Sequence, residues 1–468
     1  MGIRDDTTGG SIRLRSTAAA ISTTVRTAAC SARTAGTRSR TRGGTTAAAH
    51  EDSKNNHSAT TTSRTGSEEA QPRPVPKIKP RRRPVDTSKA AIVPIAYKDT
   101  KIKTYCRHSP VTDPAFVREC IDACLKGKGH RRDARRFIER HPDLDRFARE
   151  VADDIRTGEF HLPPITYHRH VEPISGKVRI IGRETIEHQI HDYVAARALM
   201  PLFRAKIGRW QTASIPGRGI NDARKAIRKW VKERDSRVFV KLDVVKCYPS
   251  IDRAVLKRML AHDVGDRRLL RLVFTLIDRY RGDRGLNIGS YLSQWLANYH
   301  LSAAWHYAEG SLFAVRRSRR RQGTEIRRRL VTHVLFYADD ILLVGRSKRD
   351  LTIAVKRLRG FLRDRLHLEI HPTWNVKHIG AEPIDMVGYT FRPGRTGVRP
   401  AIFLRAERAY ARAARRPMTM AMARKCISYY GWLYHSDSVT FRRRHDIDRI
   451  FHQARQVVSA VNTGRTTQ

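Results

Sequence analysis

From residue 91 onward, the apolar and polar positions alternate between helical spacing and short apolar runs. Helical spacing is found in six segments: 113–160, 184–205, 220–233, 266–280, 290–308 and 348–365. Short, largely apolar runs predict strands at 177–182, 238–243, 331–336 and 341–344. The chain from Leu404 onward again has helical spacing. This mixture predicts an α+β fold.

Two of the apolar runs predict a β-hairpin whose turn is acidic. Val331–Phe336 and Ile341–Val344 are separated only by Tyr337-Ala338-Asp339-Asp340. A third run, 238–243, also ends in a carboxylate, Asp243. If that strand neighbours the hairpin in one sheet, the three carboxylates converge at one end of it.

Converging carboxylates predict a metal site. They repel one another unless a cation lies between them, and Mg²⁺ binds oxygen ligands together with substrate phosphates. Two such ions, about 3.5–4 Å apart, can activate an attacking hydroxyl and stabilise a leaving phosphate. A single Asp-Asp pair is more often a solvated turn. The apolar strands on both sides of Asp339-Asp340, and the second acidic strand end at Asp243, favour the metal site.

The large positive charge of the chain indicates what kind of molecule it binds. The chain has 468 residues, and 92 basic against 45 acidic residues give a formal charge of +47. So large a charge indicates a polyanionic partner such as nucleic acid. No run of about 18 apolar residues predicts a membrane-spanning helix, and six cysteines are too few for a disulfide scaffold. We therefore predict a cytoplasmic protein with no membrane partner.

Residues 1–90 differ in composition from the rest. They contain no Phe, Trp or Tyr and are rich in Thr, Ala, Ser, Arg and Gly. Such a segment cannot bury enough apolar surface to offset its ordering entropy, so we predict a disordered tail. Its charge of +10 would add non-specific affinity for nucleic acid. A simple spacer fits equally well, and an organellar transit peptide fits less well because Asp5 and Asp6 come early.

Two motifs around the carboxylates resemble those of reverse transcriptases. They are Phe336–Asp340, with the sequence FYADD, and Val240–Asp252, with the sequence VKLDVVKCYPSID. The resemblance continues in order over about 170–435. It implies a right-hand polymerase with fingers, a palm built on an antiparallel sheet, and a helical thumb. The activity it implies is synthesis of DNA on an RNA template.

The resemblance also implies roles for individual residues. Asp243, Asp339 and Asp340 would be catalytic. The same three carboxylates and the backbone carbonyl of Val244 would surround two Mg²⁺ ions, which Mn²⁺ could replace. Tyr248 would be a steric gate whose ring occludes a ribose 2′-hydroxyl and so favours deoxynucleotides.

Further positions would bind the nucleotide or the nucleic acid. Arg179 is the first choice for the triphosphate, because a guanidinium forks onto phosphate oxygens. The nucleotide-binding set is Lys177, Arg179, Tyr248, Gln294 and Lys377. The set for template and primer is Arg218, Gly289, Ser293 and Tyr389. The implied partners are an RNA template, a DNA or RNA primer, and dNTPs.

The resemblance divides the chain into four regions. They are a disordered basic tail over 1–90, an N-terminal helical region with the fingers over 91–236, the palm over 237–395 with an Arg-rich insertion at about 313–329, and a helical thumb with a C-terminal tail over 396–468.

One stretch resembles a particular subgroup. Ile288-Gly289 and Ser293-Gln294 stand where most reverse transcriptases have Gln-Gly and Ser-Pro. Together with Ser428–His435, this pattern resembles the bacterial or phage enzymes of diversity-generating retroelements. Those enzymes copy a template RNA with errors at adenines, and a small basic accessory protein would be a partner. Departures at Gly285-Leu286-Asn287 and at Arg183–His188 leave the subgroup open.

Two alternatives remain. A retron-like or antiviral-defence reverse transcriptase keeps the chemistry but has another biological role. A catalytically inactive nucleic-acid-binding scaffold is of a different class, and the intact carboxylates together with Tyr248 argue against it. A viral RNA-directed RNA polymerase is disfavoured, because the bulky gate should exclude ribonucleotides.

Other potential metal ligands lie elsewhere in the chain. Glu184, Glu187, His188 and His191 have helical spacing. Polar helix faces often show such spacing, so we predict no metal site there. The Cys120 and Cys124 pair lacks a second pair of ligands, which argues against zinc.

Overall fold

The computed structural model describes residues 105–172, 176, 178–317 and 324–464. The tail predicted to be disordered (1–90) lies outside the described residues, as do Lys177 and the tip of the Arg-rich insertion. None of the described helices is both long enough and apolar enough to cross a membrane.

Helices and strands follow one another in a mixed order. A short 3₁₀ helix, Pro110–Thr112, precedes them. The α-helices are α1 Pro114–Leu125, α2 Arg132–Arg140, α3 Leu144–Thr157, α4 Ile186–Ala198, α5 Met200–Lys206, α6 Ile220–Trp230, α7 Cys247–Ser250, α8 Arg253–Asp263, α9 Arg267–Asp278, α10 Tyr291–Gly310, α11 Lys348–Leu366, α12 Pro400–Arg415, α13 Met420–Tyr434, α14 Val439–Arg444 and α15 Ile447–Gly464. The strands are β1 Thr166–Val171, β2 Val178–Arg183, β3 Val238–Asp243, β4 Phe313–Arg317, β5 Glu325–Arg329, β6 His333–Tyr337, β7 Asp340–Gly345, β8 Lys377–His378, β9 Ile384–Met386, β10 Tyr389–Arg392 and β11 Arg395–Val398.

The segment 113–160, which is predicted to be helical, forms three separate helices. Gly127, with φ +75°, follows the end of α1 in a backbone conformation that other residues rarely adopt. Pro142 cannot continue α2. Asp143 then caps α3 by accepting hydrogen bonds from the amides of Asp145 and Arg146.

A four-stranded antiparallel sheet with the order β6-β7-β3-β8 lies at the centre of the fold. The predicted hairpin is confirmed as β6 and β7. Its predicted neighbour is confirmed as β3, because β3 pairs with β7 over its whole length. The α+β class with an antiparallel sheet is therefore confirmed.

Both faces of this sheet are buried, which explains why its strands are continuous apolar runs. Val238 and Val240 face a first core, whereas Phe239 between them faces a second. On β7, Leu343 faces the first core and Leu342 faces the second. Helices α10 and α11 pack on the first face, and α6 packs on the second together with β10.

The Arg-rich insertion begins and ends as a two-stranded hairpin. β4 pairs antiparallel with β5, and every residue of β5 is exposed. Arg328 forms a bidentate pair with the buried Asp350 at the start of α11, and Arg329 binds Glu309 at the end of α10. The base of the insertion is therefore anchored to the first core.

The turn between β9 and β10 joins the central part of the fold to α13. Gly388 has φ +81°, and a Cβ built on it would lie 2.3 Å from the indole ring of Trp432. Gly394, in the next turn, has φ +80° but has no atom within 4 Å of such a Cβ. The two glycines therefore share a backbone conformation and differ in their surroundings.

We expect Gly388→Ala to destabilise the protein more than Gly394→Ala. Both substitutions place a side chain at positive φ, which costs about 1–2 kcal/mol. Only the first also forces Trp432 to move, and such overpacking adds about 1–3 kcal/mol. Urea titration followed by tryptophan fluorescence and circular dichroism measures both. Equal losses for the two variants would show that α13 is not packed against this turn.

Candidate active site

The turn between β6 and β7 presents the acidic pair at one end of the central sheet. Tyr337 pairs with Asp340 across the hairpin, which leaves Ala338 and Asp339 as the two turn residues. Ala338 has φ +53°, the sign required by the tight turns that fit the twist of a hairpin. The turn is therefore short, and its carboxylates are close to the strand ends.

Strand β3 brings the third carboxylate to the same place. Asp243 is the direct Cα partner of Asp340 in the β3–β7 ladder. The amide of the next residue, Val244, donates to the Asp339 carbonyl at 3.2 Å. Val244 is buried, whereas the side chains of Asp243 and Asp339 are exposed to solvent. The structure thus places the four residues of the predicted metal site together.

Several charged side chains lie close together at this site. Surrounding protein raises the pKa of Asp339, and the charges of Asp340 and Asp243 raise it further, while Arg179 acts in the opposite direction. Lys241 Nζ lies 2.9 Å from Asp340 Oδ1. Among the described residues, Asp243 and Asp339 have no such ion pair. These two carboxylates therefore stay available to a cation, and their hard oxygen atoms suit Mg²⁺.

Tyr248 stands beside the carboxylates on α7. It lines a small recess together with Ser214, Asn298 and Ala338. Burial, Cys247 and then Asp339 raise the pKa of its hydroxyl. The Tyr248 carbonyl accepts a hydrogen bond from Leu286 at 2.9 Å, which fixes the backbone below the ring.

Arg179 approaches from the β1–β2 hairpin. It is opposite His170 in the ladder, and its guanidinium lies 3.6 Å from Glu172 in an exposed ion pair. Its charge lowers the pKa of Asp339, so Arg179 lies near the carboxylates. Such an exposed ion pair is weak, so Arg179 can exchange Glu172 for a phosphate group.

The comparison with known families agrees with this arrangement. Residues 169–391 match the family model described as reverse transcriptase (RNA-dependent DNA polymerase). The chain contains a reverse transcriptase domain. It is accordingly an RNA-directed DNA polymerase, a nucleotidyltransferase whose substrates are nucleotides and a primed template. The match begins in β1 and ends in β10, and no curated protein matches the chain.

The loop before α10 lies against β2. Gly182 donates its amide to the Ile288 carbonyl at 3.2 Å. Gly289 has φ +115°, and a Cβ there would lie 3.1 Å from the Gly182 carbonyl. Gly289 is exposed and Gln294 is half-buried, whereas Ser293 is fully buried. Ser293 therefore has no surface open to a template strand in this structure.

Two residues predicted to bind the nucleotide or the nucleic acid, Lys377 and Tyr389, lie away from Asp243 and Asp339. Lys377 is opposite Phe239, four residues before Asp243, which is about 13 Å along the strand. It also forms an ion pair with Glu382. Tyr389 is buried in the second core, where its ring centre lies 5.1 Å from that of Trp432. Its ring supports the β9–β10 hairpin rather than facing solvent.

Arg218, predicted to contact the template, closes the loop that runs beside the β6–β7 hairpin. Its Nη1 donates to the Gly208 carbonyl at 2.9 Å, and its amide donates to Ile215 at 3.0 Å. Before this turn, the amide of Phe336 donates to Trp210 at 2.8 Å. The loop is thus tied to β6, next to the turn that carries Asp339.

Sequence reasoning missed two basic residues that shape the polymerase site. Lys241, two residues before Asp243 and hence on the same face of β3, pairs with Asp340, and this spacing was the available signal. Arg253 is buried at the start of α8 and donates to the carbonyls of Arg281, Gly282, Arg284 and Gly285. It holds the turn before the Gly289 loop, and nothing in the sequence distinguishes it from other arginines.

Proposed function

We propose that this reverse transcriptase copies RNA into DNA by two-metal nucleotidyl transfer centred on Asp243 and Asp339. The observation that supports the mechanism is the β3–β7 register, which brings Asp243 beside the Asp339-Asp340 turn. Asp243 and Asp339 each have a carboxylate free of ion pairs among the described residues. Two Mg²⁺ ions bound there, or Mn²⁺ in their place, would lower the pKa of the primer hydroxyl and stabilise the leaving pyrophosphate.

The reaction forms one bond and breaks one. The primer 3′-hydroxyl gives its proton to solvent as its oxygen bonds to the α-phosphorus of a dNTP. The bond from that phosphorus to the β-phosphate oxygen breaks, and pyrophosphate leaves. Asp243 and Asp339 would hold the metal ions, with the Val244 carbonyl as a further oxygen donor, and the positive charge held there would stabilise the phosphates. Asp340, already paired with Lys241, supports the site through its charge rather than as the main ligand.

Arg179 and Tyr248 select the nucleotide in this proposal. Arg179 exchanges Glu172 for the triphosphate and so brings the β1–β2 hairpin towards the carboxylates. Tyr248 lies against the recess beside Ala338, where the sugar of the incoming nucleotide would pack. Its ring leaves no space for a 2′-hydroxyl.

The region after the palm, 396–468, would act as the thumb that binds the primer–template duplex. A groove between α12 and α13 is lined by basic side chains and one tyrosine: Arg405, Arg408, Arg412, Lys425 and Tyr429. Basic side chains of this kind bind phosphates without reading sequence. The regions 91–236 and 237–395 would be the N-terminal region with the fingers and the palm.

We further propose that the enzyme belongs to a diversity-generating retroelement. Ile288 is partly exposed next to Gly289, in the loop that contacts β2. An aliphatic side chain there cannot make the hydrogen bonds that an amide would make, which loosens control of base-pair geometry. A small basic accessory protein would be a partner in that role. A retron-like or antiviral-defence enzyme is the alternative and would copy its template accurately.

We expect Asp339→Asn to reduce primer extension on an RNA template by at least about 10³-fold, because the metal contribution is worth several kcal/mol. The assay uses dNTPs with Mg²⁺ and follows a labelled primer. Asp364→Asn, an exposed change on α11, is the matched control and should extend like wild type. Extension by Asp339→Asn at the wild-type rate would refute the assignment.

Tyr248→Val should admit ribonucleotides. Removing the ring opens the recess near the sugar, so the ratio of rNTP to dNTP incorporation should rise by about 10-fold or more, since a steric contact of this kind is worth 1–3 kcal/mol. Single-nucleotide incorporation with each substrate measures the ratio, and retained dNTP incorporation shows that the variant is folded. An unchanged ratio would exclude a gating role for Tyr248.

Ile288→Gln should make copying more accurate if the aliphatic side chain loosens pairing. Sequencing of cDNA from wild type and variant gives the error rate at each template base. We expect wild-type errors concentrated at adenines and a several-fold lower rate in the variant. Accurate copying by wild type would favour the retron-like or defence alternative.

A further inference from the structure

A polar cluster that shares no residue with the polymerase site is buried in α4 and the residues before it. Glu184 precedes the helix, and His188 and Asp192 follow at intervals of four, so the three share one helical face. His188 and Asp192 are 0 % exposed, and Glu184 is 5 % exposed. One ligand-type atom from each residue lies within 4.8 Å of the other two.

Two carboxylate oxygens inside this cluster, Glu184 Oε2 and Asp192 Oδ1, accept no hydrogen bond from an N–H or O–H donor. Neither ring nitrogen of His188 makes a well-formed hydrogen bond, although the Pro163 carbonyl lies nearby. The outer oxygens are held, because Asn287 Nδ2 donates to Glu184 Oε1 at 2.7 Å and Ser290 Oγ donates to Asp192 Oδ2 at 2.5 Å. Buried polar atoms without partners are destabilising, so several in one place indicate a ligand that bonds to all of them.

The chemistry of the cluster points to a cation. Two carboxylates and an imidazole can each donate a lone pair to a metal ion.

We propose that Glu184, His188 and Asp192 bind one divalent transition-metal ion, and that Zn²⁺ fits best. One imidazole nitrogen with carboxylate oxygens is a ligand set that zinc accepts, whereas Mg²⁺ sites use oxygen. Each of the three side chains offers one ligand atom, so a water molecule would complete the four-coordinate geometry of zinc.

The ion would join two segments of the polymerase domain. Glu184 directly follows β2, the strand that carries Arg179, and Asn287 and Ser290 flank the exposed Gly289. Asn287 Nδ2 also lies 3.4 Å from the Gly182 carbonyl. Zinc at this position would therefore fix the fingers strand against the loop that precedes α10. The proposal does not depend on the two-metal mechanism.

The test begins with the metal content of untagged, full-length protein. After dialysis against a weak chelator, elemental analysis should find about one Zn²⁺ per chain. Removal of that zinc by a strong chelator should lower the melting temperature by several degrees, and added Zn²⁺ should restore it. Co²⁺ substitution should give the visible absorption of a four-coordinate site. All of these measurements are made on the wild type and need no variant to fold.

Variants then assign the ligands. His188→Gln and Glu184→Gln should lose the zinc and the response to chelator. His191→Gln is the matched control, because His191 is equally buried on α4 but its Nδ1 is bonded to the Glu187 carbonyl, outside the cluster. Asp339→Asn should keep the zinc, which separates this site from the polymerase carboxylates.

Glu184→Gln also distinguishes zinc from the metal-free alternative, in which Glu184 and Asp192 share a proton. A protonated Glu184 is neutral, and glutamine has nearly its shape. In that case the variant would melt at or above the wild-type temperature. That result, or wild-type protein that retains no zinc and does not respond to chelator, would overturn the proposal.

Discussion

The antiparallel pairing of β3 with β7 is the constraint on which the polymerase site depends. It sets Asp243 opposite Asp340, so that residues almost a hundred positions apart in sequence meet at one end of two strands. A slip of one residue would turn every side chain of a strand to the other face. Because both faces of the sheet are buried in separate cores, such a slip would place each apolar residue in the wrong core. The packing of both cores thereby holds the register that brings Asp243 beside Asp340.

The same register concentrates negative charge in a strongly basic protein. Lys241 offsets Asp340 from within the sheet, while Asp243 and Asp339 keep unpaired carboxylates on the solvent side. The protein itself therefore neutralises Asp340, whereas a cation can reach Asp243 and Asp339. Arg179 brings positive charge from the β1–β2 hairpin and lowers the pKa of Asp339.

The acidic end of the central sheet could be predicted from the sequence, because each apolar run and the carboxylate that ends it are neighbours along the chain. Apolar runs that end in carboxylates indicate buried strands with acidic ends, and β3, β6 and β7 follow that pattern. Lys377, Tyr389 and Ser293 were assigned by position in a motif, which does not tell where a side chain points. Strand register moves Lys377 away from the site, and packing buries the other two. The family match, which ends at residue 391, likewise leaves the thumb as a proposal.

Burial was the main property that the sequence did not reveal. The segment 184–192 reads as a polar helix face, and on that basis no metal site was predicted there. In the structure, the polar residues of α4 are enclosed by other helices and by the loop before α10. Helical spacing alone did not single out Asp192, whose partner Ser290 is almost a hundred residues away.

Ala338 has a consequence for the rigidity of the acidic turn. Glycine at this position would relieve the positive φ but would let the peptide before Asp339 swing. Alanine accepts about 1–2 kcal/mol of strain, and it lines the recess beside Tyr248. The turn is therefore stiffer than a glycine turn would be. In the proposed mechanism, each round of nucleotide addition would begin from the same carboxylate geometry, so the template strand could advance by one base while Asp339 stays in place.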